Sequence, residues 1–208
     1  MDKRYKAGVI GRTGRGDYGH GLDIAYLQME DVDIVAVADD DPQGLSDAGT
    51  RLGVKKQYLN YKEMLDKEQF DIVSICPRWT KPHFEMVQAV AKAGACIFLE
   101  KPISVTLSEA DEIVSICKEA GITIGLAHQG RMHAAAHHAK ALLKDGVIGN
   151  ILSARLRGKE DHRGGGEDLM LEGTHVFDTL RFLLDADPTW VFANVSTSDG
   201  RPITKNDA

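Results

Sequence analysis

An α/β fold is predicted by three features of this 208-residue chain. Short β-branched runs are apolar on both faces, longer amphipathic stretches separate them, and a glycine-rich turn directly follows the first run. Runs that are apolar on both sides mark strands of a parallel sheet, because helices packed on each face bury both. The rhythm therefore implies a doubly wound parallel sheet over residues 1–127, the Rossmann arrangement, followed by a partial α+β domain over 128–208.

Taken in order, strands are expected at KAGVIG (6–11), VDIVAVAD (32–39), FDIVSIC (70–76), ACIFLE (95–100) and ITIGLA (122–127), with a shorter one at KQYL (56–59). Three helices fall between them, DPQGLSDAGTRLG, KPHFEMVQAVAKAG and TLSEADEIVSICKEAG. Each ends in a glycine suited to a left-handed cap, and Thr106 or Ser108 can cap the start of the third. A further helix is expected directly after the glycine-rich turn. Beyond Ala127 the pattern gives a helix (HAAAHHAKALLKDG), a strand (NILSARLRG), a charged glycine-rich loop (KEDHRGGGED), a helix (THVFDTLRFLLD) and a strand (WVFANVSTS). Two strands and two helices make a thin layer with open sheet edges, so a second copy or further chain is expected to cover it.

Composition narrows the function. A net charge of -6 with no basic stripe repels a phosphate backbone, which argues against nucleic acid as a partner. The first residues carry too short an apolar stretch for a signal peptide, and no run approaches the roughly 18 residues of a membrane span, so a cytoplasmic protein with no membrane partner is expected. Cys76, Cys96 and Cys117 lie in apolar segments at spacings that match no zinc or redox pair, and read as buried reduced thiols.

The glycine-rich turn, V-I-G-R-T-G-R-G-D-Y-G-H-G, can point backbone N–H groups at a pyrophosphate. Aligned on Gly11, the G-x-G-x-x-G fingerprint puts Thr13 at the second glycine and Gly16 at the third, with Gly14 one place late. The loop must therefore bulge or bind differently, with Arg12 and Arg15 at hand. Asp39, ending the second strand, can accept the adenosine ribose hydroxyls; its alternative role is to cap the helix at Pro42. Asp39, Asp40 and Asp41 together repel a 2′-phosphate, which favours NAD, with NADP as the alternative.

At the end of the strand at 95–100 stands F-L-E-K-P-I-S, with Glu100, Lys101 and Pro102 at the carboxyl edge of the sheet, where ligands of open α/β folds bind. With the T-x-x-E-A helix behind it, and with KALLKDGVIGNI and GTHVFDTLRFLL further on, the chain resembles the Gfo/Idh/MocA family, the oxidoreductases typified by glucose-fructose oxidoreductase and inositol dehydrogenase, cut short in its second domain. The resemblance implies that Lys101 lies beside the nicotinamide and the substrate hydroxyl as the leading catalytic residue, with Glu100 positioning its neighbours and Pro102 fixing the turn, if need be through a cis bond. It places Cys76 and Pro77 along the nicotinamide, followed by a loop about two residues longer than usual in which Arg78 and Trp79 shape the pocket. His175 falls on the family's catalytic histidine and takes the substrate proton, with Asp178 as orienting partner. Leu171 stands where the family commonly has an aspartate, and the adjacent Glu172 is its candidate substitute. Arg131 is a candidate contact for a polyol or acid substrate. His133 and His137, at i, i+4, have no acidic third ligand beside them, and no metal site is assigned.

The leading expectation is an NAD(P)-dependent oxidoreductase acting on a sugar, cyclitol or related polyol, homo-oligomeric in its full-length form. A second keeps NAD but uses transient oxidation to hydrolyse or eliminate a glycoside. A third is a non-catalytic nucleotide-binding protein, motivated by the short second domain and the apolar Leu171.

Overall fold

A computed structural model describes residues 4–158 and 168–194. The chain divides into two compact units, 1–127 and 128–208.

The first unit is a six-stranded, all-parallel sheet in the order β3-β2-β1-β4-β5-β6. Its strands are β1 (Tyr5–Ile10), β2 (Val32–Ala38), β3 (Gln57–Tyr58), β4 (Ile72–Ile75), β5 (Cys96–Leu99) and β6 (Ile124–Leu126). Alternation along the strands divides two cores. Ile10, Ala36, Ala38, Val73 and Ile75 point to one face, against Met64, Met86, Val90 and Ile113 of the helices. Val9 and Val37 point to the other, against Leu22, Leu45, Ala48 and Leu52. The helices are α1 (Pro42–Leu52), α2 (Tyr61–Lys67), α3 (His83–Lys92) and α4 (Leu107–Glu119). Of the two candidate caps of the last, Thr106 is the one used: its hydroxyl accepts the Glu109 N–H at 3.2 Å.

Two features depart from expectation. The short helix α2 was not among the predicted three; Asn60 caps it by accepting the Lys62 N–H, and Met64 and Leu65 anchor it in the core. The expected helix after the glycine-rich turn does not form, and residues 13–28 run through a series of turns. Gly14, Gly16, Asp17, Gly19 and Gly21 all hold positive φ, which a right-handed helix excludes, and beyond them the chain closes only single i, i+3 turns such as Leu27 N–H to the Ile24 carbonyl.

In the second unit the described regular elements are helical. α5 (Ala134–Lys144) follows a 3-10 turn at Gln129–Met132, and α6 (Gly173–Leu184) follows a π-helical turn at Asp168–Glu172. His137 and Phe182 meet edge to face at 5.2 Å between these two helices. The strand expected at NILSARLRG is irregular backbone, as are the described residues 190–194 of WVFANVSTS; its remainder and most of the KEDHRGGGED loop lie outside the described residues. β-propensity alone does not make a strand: an edge of unpaired N–H and C=O groups needs a neighbouring strand, and neither segment has one among the described residues.

Candidate active site

The carboxyl ends of β1, β2, β4 and β5 carry every candidate residue of the first unit. The glycine loop is knitted to β2 through Asp39, which is 2% exposed. Its carboxylate accepts the Thr13 N–H at 3.1 Å, the Thr13 hydroxyl at 2.8 Å, the Tyr18 hydroxyl at 2.8 Å and the Asp41 N–H at 3.0 Å. A carboxylate offers about four lone-pair sites, so these donors saturate it. In this structure these bonds make Asp39 the anchor of the loop, and it also lines the cavity beside the loop. The helix cap at Pro42 falls to Asp41, which accepts the Gly44 N–H at 2.7 Å.

Asp40 stands at the neighbouring cavity. This space of about 280 Å³ is lined by Gly11, Arg12, Asp40, Asn60, Tyr61 and Lys62 among others. Arg12 ion-pairs with Asp40 at 2.9 Å. A carboxylate, an amide side chain and an apolar floor of Ile10, Ala38 and Met86 suit an adenosine, so the residues fit the adenosine half of a dinucleotide.

Thr13 in place of the second glycine is accommodated by another glycine. A Cβ at Gly44 would lie 1.8 Å from the Thr13 hydroxyl oxygen, so the bare backbone of α1 makes room for that side chain. Gly11 lies against Tyr18, and Gly16 against the backbone of Arg78. Burial pushes the Tyr18 hydroxyl pKa up, and its bond to Asp39 adds to this.

Glu100 is fully buried and holds the loop from below, accepting the His20 N–H at 3.3 Å and lying 2.6 Å from His20 Nδ1. Lys101, 3% exposed, follows it through a cis bond to Pro102. Sequence reasoning missed His83, which locks this turn to its neighbour. Fully buried, it directs Nε2 at the Pro77 carbonyl at 2.8 Å and Nδ1 at the Pro102 carbonyl at 2.9 Å. Burial pushes its pKa down against the opposing pull of those carbonyls. A histidine at the start of a helix, just past two prolines, was the only signal available. Cys76 is buried and its thiol is raised by that burial, so it lines the site as an apolar group and not as a nucleophile. Trp79 turns toward the glycine loop, where the guanidinium groups of Arg12 and Arg15 each lie 4.9 Å from its ring centre.

In the second unit, Asp178 is 7% exposed and takes two hydrogen bonds from Arg131, one of 3.0 Å. Arg131 is thus held by Asp178, with its side chain still 38% exposed. His128 lies 3.6 Å from the same carboxylate and 2.9 Å from the Thr174 hydroxyl, and its ring meets that of His175 edge-on at 6.0 Å. Asp178 therefore meets the histidine pair from the His128 side. Glu172 is nearly buried, at 9% exposure.

Comparison with known proteins agrees with this fold. The family model described as "Oxidoreductase family, NAD-binding Rossmann fold" matches residues 5–128. A D-apiose dehydrogenase of Paraburkholderia graminis is 29% identical over 87% of this chain and 50% of its own length. A myo-inositol 2-dehydrogenase of Thermotoga maritima is 27% identical over 92% of this chain and 58% of its own. The structure of an oxidoreductase from Agrobacterium radiobacter in complex with NAD+, L-tartaric acid and magnesium superposes with a TM-score of 0.76 at 25% identity, covering 88% of this chain and 55% of that one. The chain spans about half the length of the curated relatives it matches. Its first unit is an NAD-binding Rossmann domain, and the chain belongs to the Gfo/Idh/MocA family of oxidoreductases.

Proposed function

We propose that this protein is an NAD(P)-dependent oxidoreductase that moves hydride between the nicotinamide and a carbinol carbon of a sugar, cyclitol or related polyol. The observation that carries the reading is the buried Lys101 in the Glu100-Lys101-Pro102 turn at the carboxyl edge of a parallel NAD-binding sheet. Relatives named for D-apiose and myo-inositol support the polyol class.

The bound nicotinamide supplies the hydride acceptor or donor. Lys101 binds and polarises the substrate oxygen, and its confinement between Glu100 and Pro102 limits the orientations of the ammonium. His175 accepts the hydroxyl proton, with Thr174, His128 and Asp178 organised around it. Glu172 takes the part of the family's usual aspartate toward the substrate. At the adenosine end Asp40 receives the ribose hydroxyls, and its charge selects NAD over NADP. The protein works in the cytoplasm as a homo-oligomer, a second copy covering the exposed side chains of Trp190, Val191 and Phe192.

The test is a polyol and sugar panel assayed with NAD+ and NADP+, followed by Lys101→Ala and His175→Ala in the active reaction. Each variant is expected to lose at least a hundredfold in kcat while NADH binding persists. Full turnover by Lys101→Ala would reject the mechanism.

A further inference from the structure

The amide groups that a dinucleotide fold normally turns toward the pyrophosphate are already engaged here. Arg12, Gly14, Arg15, Asp17 and Gly19 each donate their backbone N–H within the loop, and Thr13 donates its own to Asp39. No helix follows the loop to supply an N-terminal dipole. Positive charge is supplied instead by side chains. Arg12 touches Asp40 beyond β2 on one side and Trp79 beyond β4 on the other, so it stands at the switch point of the strand order, where a dinucleotide crosses the sheet. The Arg15 guanidinium lies over the same indole, 4.9 Å from its centre, and among the described residues no carboxylate is within ion-pair distance of it. The Trp79 N–H of the backbone bonds the Arg15 carbonyl at 3.4 Å, which ties the two loops together.

We infer that Arg12, Trp79 and Arg15 form an arginine clamp for the cofactor's pyrophosphate, with the indole holding both guanidinium groups in place through cation–π contact and charge-assisted contacts replacing the loop amides. The inference rests on the reading that the first unit holds a nicotinamide dinucleotide. This contact restrains two long side chains before the anion arrives, which lowers the ordering cost of binding. Guanidinium groups also suit a diphosphate because each can meet two oxygens at once.

The experiment titrates the intact chain with NADH and, separately, with adenosine. Arg15→Ala is expected to weaken NADH binding about tenfold or more and to leave adenosine binding unchanged, since adenosine has no phosphate; Arg15→Lys is expected to recover only part of the loss. Added salt should weaken NADH binding to the native chain more than to the Arg12→Ala/Arg15→Ala variant. The chain has two tryptophans, so in a Trp190→Phe background the emission reports on Trp79 alone, and NADH should quench it. Native NADH affinity in the Arg12→Ala/Arg15→Ala variant would overturn the clamp and leave the dinucleotide site standing. A native chain that binds no NADH overturns the site and the clamp together, and retained adenosine binding in Arg15→Ala shows that a loss there is not unfolding.

Discussion

Thr13 and Gly44 behave as one unit although 31 positions apart, because the α1 backbone leaves a gap that only the Thr13 side chain fills. In an open helix Gly→Ala gains about 1 kcal/mol of helix propensity. At position 44 the methyl would meet a hydroxyl already bonded to Asp39, and overpacking of this kind costs about 1–3 kcal/mol. Gly44→Ala is therefore expected to destabilise the chain, yet to be neutral or stabilising in a Thr13→Gly background. Denaturant midpoints of the four-member cycle measure this, and additive effects would exclude the contact. His83 has a pH signature at the same scale. Its folded pKa is lowered from 6.5, so below that value the unfolded chain binds a proton that the folded chain refuses. Stability is fully present above pH 6.5 and falls as the pH drops toward the folded value, by up to about 1.4 kcal/mol per pH unit from this group. His83→Phe should flatten that part of the profile, and an unchanged slope would remove His83 as its source.

Among the elements, α4 starts with a variant of the capping box, in which the glutamate reaches one residue beyond the cap. Thr106 accepts the Glu109 N–H, and the Glu109 carboxylate reaches back to the Val105 N–H at 3.1 Å. Thr106→Ala is expected to cost about 1 kcal/mol, and Glu109→Ala less, as read by thermal unfolding. Because the box follows directly on the turn that carries Lys101, the loss should also loosen Lys101 and raise the KM of the proposed reaction more than it lowers kcat. The glycine loop shows the opposite case, an element whose absence was not apparent in the sequence. Its glycines suggested a turn into a helix, but the order of left-handed positions allowed only turns, and Tyr18 filled the space below, with the Arg51 guanidinium 4.7 Å above its ring.

For the whole molecule, the division of labour between Asp39 and Asp40 predicts a contrast in cofactor binding. Asp40→Ala is expected to narrow the preference for NADH over NADPH, because it removes the negative charge at the cavity that repels a 2′-phosphate. Asp39→Ala should weaken both cofactors about equally, because it releases Thr13 and Tyr18 and unravels the loop. Parallel fluorescence titrations distinguish the two, and a selective effect of Asp39→Ala would assign the ribose contact to that residue instead of Asp40. The exposed Trp190, Val191 and Phe192 predict self-association. Light scattering should give a mass above that of one chain, and a strictly monomeric protein would count against an oligomer through this surface.

By itself the sequence determined the sheet, because short β-branched runs apolar on both faces, spaced by amphipathic stretches, suit buried parallel strands, and it placed Glu100-Lys101-Pro102 at the carboxyl end of one of them. It also marked the Thr106 cap, which acts within a few residues. What only the tertiary structure decided involves partners far apart in the chain: that Asp39 is saturated by Thr13 and Tyr18, that His83 bridges Pro77 and Pro102, that Arg131 is held by Asp178, and that Trp79 meets Arg12 and Arg15. A side chain's type shows what bonds it can make. Which it does make depends on the donors, acceptors and rings that folding brings within about 3 to 5 Å of it, and local periodicity carries no record of those neighbours.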